Sequence, residues 1–333
     1  MSRPTLAAAL IVRNEARCLK RCLDSVAPWV DRVVVIDTGS TDESCDIARA
    51  CGATVATFDW IDDFAAARNR ALEQADADWT LVIDADEWIA SGGENLRDWC
   101  DGSDRIGVVA IDSDTANAGV HRNWISRLVP RGVRFVGRVH EQLDSSLPRV
   151  RAPLALGHDG YAAERLSAKS TRNRPLLLLA LQERPDNGYL LYQLGRDAEI
   201  AGDLAAACTW YARALVATPR EANWRHELVL GAISSLTAAK RFDDAVALAD
   251  AEFPYWQRSP DFFFVLGNLM LDRAVADPAQ AVSDWLPLAQ GAWERCLAIG
   301  DRPELEGSVA GRGSHLARHN LALIAPMLGH RAA

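Results

Sequence analysis

Short apolar runs of strand length alternate with segments of helical period through the first part of the chain, and this alternation leaves few folds open. Leu6–Val12, Val33–Ile36, Thr54–Phe58 and Trp79–Ile83 are the apolar runs. Between them, Arg17–Val26, the stretch from Ser40 to Cys51 and Phe64–Ala77 carry apolar residues at helical spacing. Pro28 breaks the first helix, and Gly52 suits the left-handed position just past the second. Ser40-Thr41-Asp42-Glu43 has capping-box spacing, a hydroxyl at the cap and a carboxylate three residues on. Strand–helix repetition with short connections predicts a mostly parallel α/β sheet with right-handed crossovers.

The carboxyl ends of these strands, where open α/β sheets bind ligands, are polar. Asn14-Glu15 follows the first run, Asp37 ends the second, and Asp84-Ala85-Asp86-Glu87 ends the fourth. In an extended segment Asp84 and Asp86 point the same way. They suit Mg²⁺ or Mn²⁺ carrying a phosphate, although an Asp-x-Asp also serves as a solvated turn before a helix. Neither GxGxxG after the first run nor GxxxxGK[ST] anywhere supplies a backbone phosphate cradle. A bound diphosphate would then need a cation, which favours the metal reading. Clustered carboxylates repel unless a cation or hydrogen-bond donors offset them, so all three clusters point to a ligand; Asn14 alone fits a turn equally well.

In order and context, Ile11-Val12-Arg13-Asn14-Glu15, Val35-Ile36-Asp37-Thr38-Gly39-Ser40-Thr41-Asp42, Ala67-Arg68-Asn69 and Asp84-Ala85-Asp86-Glu87 resemble the family 2 glycosyltransferases. The resemblance covers about the first half of the chain. It implies a Rossmann-like GT-A fold and an inverting hexosyltransferase that uses a nucleotide-diphospho-sugar, with UDP-glucose as the default donor. The donor would be held by Val12, Asn14, Glu15, Asp37, Gly39, Arg68, Asn69, Asp84, Ala85 and Asp86, with Asp37 on the base. Asp86 would be the direct ligand of Mn²⁺ or Mg²⁺, and Asp84, its partner in the DXD motif, would lie toward the ribose or sugar.

Farther on, Ile106–Ile111, Trp124–Val129, Val133–Val136 and Val139–Leu143 read as short strands. An inverting transferase must deprotonate its acceptor hydroxyl, and a positioned carboxylate is the usual device. The family's acidic base matches Glu141 best, beside His140 in Gly137-Arg138-Val139-His140-Glu141. On an alternating strand the two would face opposite ways, one buried and one toward water. His158, in Gly157-His158-Asp159-Gly160-Tyr161, is a further candidate metal ligand, and its flanking glycines would permit close backbone approach. These two stretches resemble a bacterial subgroup that joins a short transferase domain to helical repeats.

Basic residues then dominate Ala162–Arg174, read as a connecting segment with a solvated face, and no strand pattern recurs. Leu191-x-x-Leu194-Gly195-x-x-Ala198, Gly202, Ala207-x-x-x-Tyr211, Ala214 and Pro219 follow the tetratricopeptide template. Weaker copies lie at Arg241–Ala245, at Gly267 with Ala292-x-x-x-Cys296, and at Asn320–Ala322. The expected organisation is a transferase domain over 1–163, a linker over 164–185 and an all-α tetratricopeptide-like domain over 186–333. The repeats would either recruit a glycan, peptide or protein acceptor, or only buttress or dimerise the transferase.

A formal charge of −9 argues against a nucleic-acid partner. The seven cysteines contain no CxxC, which fits reduced thiols and a cytoplasmic protein. Leu6–Val12 is too short for a transmembrane segment and lacks the flanks of a signal peptide. Two other classes stand beside the transferase: a non-catalytic tetratricopeptide scaffold with a vestigial transferase domain, and a nucleotidyltransferase, which would bring a glycine-rich basic loop that this chain lacks.

Overall fold

The computed structural model describes residues 3–329 apart from 101, 103, 116–118, 159–162 and 306. It divides into two compact units, Met1–Ala162 and Ala163–Ala333. The first is an α/β unit. It opens with β1 (Leu6–Val12), α1 (Ala16–Val26), β2 (Arg32–Asp37), α2 (Ser44–Ala50), β3 (Thr54–Thr57), α3 (Phe64–Ala75) and β4 (Trp79–Val82). It continues through β5 (Glu87–Ser91), the short α4 (Leu96–Trp99), β6 (Ile106–Thr115), β7 (Gly119–Pro130), β8 (Arg134–Val136), β9 (Gln142–Asp144) and β10 (Arg149–His158).

Eight strands form one sheet in the order β3-β2-β1-β4-β7-β6-β10-β5, and β8 pairs with β9. Alternation along β1 explains why it lies inside. Leu6, Ala8, Leu10 and Val12 enter one core with Leu19 and Leu23 of α1. Ala7 and Ala9 enter the other with Ala71 and Ala75 of α3. The neighbouring strands β2 and β4 both run parallel to β1, with Val12 beside Asp37 and Ala9 beside Val82.

The expectation of a mostly parallel sheet holds through β4; past it the sheet is mixed, although β10 still runs parallel to β6. There β7 joins antiparallel to both β4 and β6, and β5 joins antiparallel to β10. Too few residues separate β6 from β7 for a crossover, so they must pair as a hairpin. Two strands were not expected at all. Directly after Asp86, β5 pairs with β10 so that Glu87 lies opposite His158.

Two local expectations also change. The helix after β2 begins at Ser44, with no side-chain bond from its cap residue Glu43. The Ser40 hydroxyl instead accepts the Asn14 N–H at 3.0 Å, and Asp42 takes the Ser44 N–H at 3.0 Å. The predicted strand Val139–Leu143 reduces to Gln142–Asp144, because His140 is left-handed at φ 50° and leaves the extended path.

The second unit is helical: α5 (Ala163–Glu183), α6 (Gly188–Ile200), α7 (Leu204–Ala217), α8 (Arg225–Ala238), α9 (Phe242–Trp256), α10 (Pro260–Ala276), α11 (Leu286–Ile299) and α12 (His315–Ile324). The stretch read as a linker contributes α5, whereas Asp159-Gly160-Tyr161 and Ala162 lie outside the described residues. Tetratricopeptide-like pairing shows in two equivalent contacts. A Cβ on Gly195 of α6 would stand 2.4 Å from the Tyr211 ring on α7. One on Gly267 of α10 would stand 2.3 Å from Trp293 on α11, so the later repeat reads Ala289-x-x-x-Trp293 and not the expected Ala292-x-x-x-Cys296. Both aromatics are buried to 1% exposure or less, so the glycine lets the ring fill the seam between paired helices. A π-helical turn, Ala281–Trp285, occupies the insertion in the later pair. Among the described residues no helix is long and apolar enough to cross a membrane.

Candidate active site

The turns after β1 and β2 are tied together by the residues expected there. Asn14, left-handed at φ 57°, accepts the Thr41 N–H at 2.7 Å, and the Glu15 N–H donates to Ser44 Oγ at 2.8 Å. The Val12 carbonyl accepts from the Thr38 N–H at 2.9 Å. Asp37 closes its own loop by accepting the Gly39 and Ser40 N–H groups at 3.2 and 3.1 Å. Gly39 lies at φ 104°, a region open to glycine and strained for other residues.

Beyond β4 lies a charge cluster, largely buried except at Asp84, whose side chain is 35% exposed. Asp84 Oδ1 accepts from Arg68 Nη2 at 2.9 Å, and its Oδ2 from Arg127 Nη2 at 2.6 Å. Arg127 Nη2 also reaches Glu87 Oε1 at 2.6 Å, while Glu87 Oε2 accepts the Asp84 N–H at 2.9 Å. Arg68 Nε donates to Glu141 Oε1, and the other Glu141 oxygen takes no hydrogen bond from the described residues. Burial pushes Asp84 up, but the two guanidinium groups outweigh it and hold its carboxyl well below the usual range. Burial wins at Glu87, aided by the Asp84 charge, and raises its carboxyl to about 7 against the pull of Arg127.

Asp86 adds its charge to the field at Glu87 and meets a further partner. The pairing of β5 with β10 brings His158 Nε2 to 3.3 Å from Asp86 Oδ2. The other ring nitrogen, Nδ1, lies 3.2 Å from Ser113 Oγ on β6. The Trp88 ring lies where a Cβ on Gly157 would stand, 2.4 Å away, and Arg21 stacks on that ring at 3.9 Å. Gly157 thus permits the close packing that seats its neighbour His158.

The structure brings Asp86 and His158 together, and it separately joins Arg68, Asp84 and Glu141. It does not gather Asp84, Asp86 and His158 into one set: among the described residues no three His, Cys, Asp or Glu side chains are grouped to hold a metal. Ala85 is buried between the two aspartates. The Asn69 amide is engaged by the Phe135 backbone at 2.8 and 2.9 Å. Sequence reasoning missed Arg127, Glu87 and Ser113. Arg127 and Ser113 lie on strands that reach the site only through mixed-sheet pairing, and no spacing rule links them to Asp84. Glu87 closes the Asp84-Ala85-Asp86-Glu87 motif, but nothing local in the sequence pairs it with Arg127.

Residues 8–96 match the family model described as "Glycosyl transferase family 2". A TPR repeat-containing protein of Synechococcus elongatus is 36% identical over 66% of this chain and 59% of its own length. The SPbeta prophage-derived glycosyltransferase SunS of Bacillus subtilis is 29% identical over 59% of this chain and 50% of its own length. The chain thus spans little more than half the length of these relatives. Among solved structures, glucosyl-3-phosphoglycerate synthase from Mycobacterium tuberculosis shares 24% identity over 32% of this chain and 43% of its own, with a TM-score of 0.28. That likeness is too slight to bear on the site. The segment similar to that family runs from β1 past the Asp84-Ala85-Asp86 loop and lies within the first unit.

Proposed function

We propose that the chain is a metal-dependent, inverting glycosyltransferase that moves a sugar from a nucleotide-diphospho-sugar, UDP-glucose or a close relative, to a glycan, peptide or protein acceptor. The observation that carries this reading is the Asp86–His158 pair. Ser113 engages Nδ1 and leaves Nε2 directed at the carboxylate. A carboxylate oxygen and an imidazole nitrogen 3.3 Å apart match adjacent ligands of a small six-coordinate cation, about 3 Å apart when metal–ligand distances are about 2.1 Å. The donor set fits Mn²⁺ as well as Mg²⁺, since imidazole suits transition ions and carboxylate suits both.

Asp86 and His158 would hold the ion. Such an ion supplies charge neutralisation on the leaving diphosphate. The protein's own residues do the rest. Asp84, locked between Arg68 and Arg127, is a fixed acceptor for ribose or sugar hydroxyls. The loops joined through Asn14 and Asp37 form the nucleoside side. Glu141, clamped on one oxygen by Arg68, keeps the other for the acceptor's proton. The helical repeats are the acceptor-recruiting unit.

UDP release from UDP-glucose, measured with and without Mn²⁺ on wild type and Asp86→Ala, tests the reading. Turnover should require the ion and fall by about a thousandfold or more in the variant. Metal-independent turnover, or an unaffected variant, would sink the site assignment.

A further inference from the structure

The family resemblance puts Asn69 beside the nucleotide. Its side chain is otherwise occupied. Nδ2 donates to the Phe135 carbonyl at 2.9 Å, and Oδ1 accepts the Phe135 N–H at 2.8 Å. The N–H and C=O of a β residue lie on one edge of its strand. A single side-chain amide therefore fills that edge of β8 as a further strand would. The fit is anchored from below. Ala65 and Leu72 flank Asn69 on α3 at helical spacing and share a core with Phe135 and Leu143 of the hairpin.

The segment just past Phe135 needs such an anchor. Gly137 at φ 100° and His140 at φ 50° turn the chain left-handed twice, and a non-glycine residue keeps that conformation only when its surroundings impose it. At both ends α3 does the imposing. The Phe64 N–H donates to the Arg138 carbonyl at 2.8 Å. Arg68 lies 5.7 Å from the Phe135 ring centroid and binds Glu141 through Nε. Phe64, Arg68 and Asn69, all in the first half of α3, thus grip the chain from Phe135 to Glu141.

We infer that Asn69 is a positioning residue: through the Phe135 backbone it fixes the Gly137–Glu141 segment, and with it the Glu141 carboxylate, and it does not contact the donor. The consequence for turnover rests on the transferase reading above; the consequence for the segment's order does not.

Three measurements on Asn69→Ala and Asn69→Asp test this in the full-length protein. UDP affinity in the presence of Mn²⁺ and KM for UDP-glucose should stay within about twofold of wild type, while kcat for UDP-glucose hydrolysis falls about tenfold or more. Amide hydrogen exchange over 135–141 should quicken about tenfold with β1 unchanged. On a Glu141→Gln background, adding Asn69→Ala should cost less than about twofold in kcat, because the two changes remove one device. A tenfold loss of UDP affinity with exchange over 135–141 unchanged would overturn the inference, as would full additivity with Glu141→Gln. Asn69→Asp keeps the acceptor for the Phe135 N–H, so it remains informative where the alanine variant does not fold. If the wild type neither binds UDP nor hydrolyses UDP-glucose, the transferase reading fails, and exchange over 135–141 still decides the role of Asn69.

Discussion

Arg127 is the residue on which the buried charges of the first unit depend. Its side chain is 8% exposed and holds Asp84 on one side and Glu87, at 3%, on the other. Removing it leaves Glu87 with no counter-ion bond and Asp84 with Arg68 alone. Breaking a buried pair from one side costs about 3–5 kcal/mol, because Glu87 must then either stay charged and desolvated or take up a proton. Arg127→Met should lower the unfolding free energy by that amount in urea melts, and Arg127→Met with Glu87→Gln should recover part of it. A single variant within about 1 kcal/mol of wild type would show that water already reaches the cluster. Ser113 makes a subtler case. Its hydroxyl orients His158 from behind, and losing such a partner typically costs ten- to a hundredfold in metal affinity. Ser113→Ala should weaken Mn²⁺ binding by about that factor at fixed UDP, read by titration, with the unfolding midpoint little changed. An unaltered Mn²⁺ affinity would count against His158 as a ligand of the proposed ion.

At the scale of elements, the parts that were legible in the sequence are those whose signal is local. The strand-and-helix alternation through β4 and the repeat pattern of α6 and α7 both follow from residue spacing within one window. What could not be read was long-range pairing. Nothing near Glu87–Ser91 announces a strand, because β5 exists only by pairing with β10 some seventy residues on. That pairing is also what carries His158 to Asp86. Likewise Ser40 had the right spacing for a cap, but Asn14, distant in sequence, claimed its hydroxyl. Tertiary contacts overrode local preference at each of these points. The helical seams give an element-scale test. Gly267→Ala drives a methyl into the Trp293 indole, with atoms 2.3 Å apart, and overpacking of this kind costs about 1–3 kcal/mol. Gly291→Ala, on α11 with nothing within 4 Å, should be neutral or gain up to about 1 kcal/mol from helix propensity. Equal effects in denaturant melts of the two variants would mean that the seam is looser than the Gly267–Trp293 contact implies.

Over the whole molecule, the two units should respond differently to acid. In the first unit the Arg97 hydrogen bond holds the Asp31 carboxyl down, and the Ser44 hydrogen bond does the same at Asp42. Arg131 lowers Asp76, and the Thr5 backbone N–H and hydroxyl lower Asp78. In the second unit Asp301 is the aspartate held down among the described residues. Burial there opposes the shift, but the Ser314 hydroxyl and the Gly311 and Gly313 N–H groups prevail. For each group the folded carboxyl is the stronger acid. Above the unfolded value of about 4 both states are ionised and the stabilisation is complete. As pH falls below that, the unfolded chain binds protons first, so stability drains away until the folded carboxyl is protonated as well. With Asp84, held down by Arg127 and Arg68, five such groups in one unit against one in the other predict an asymmetric loss, offset in part by Glu87, whose raised carboxyl is relieved as pH falls. Amide exchange on the intact chain, compared between pH 7 and about 3.5 after correction for intrinsic rates, should show protection falling more in β1, β2 and β4 than in α8, α10 and α11. Most of these aspartates are exposed, so salt should shrink the difference by screening their partners. Equal loss in the two units, or greater loss in the helices, would locate the acid-sensitive charges outside these six aspartates.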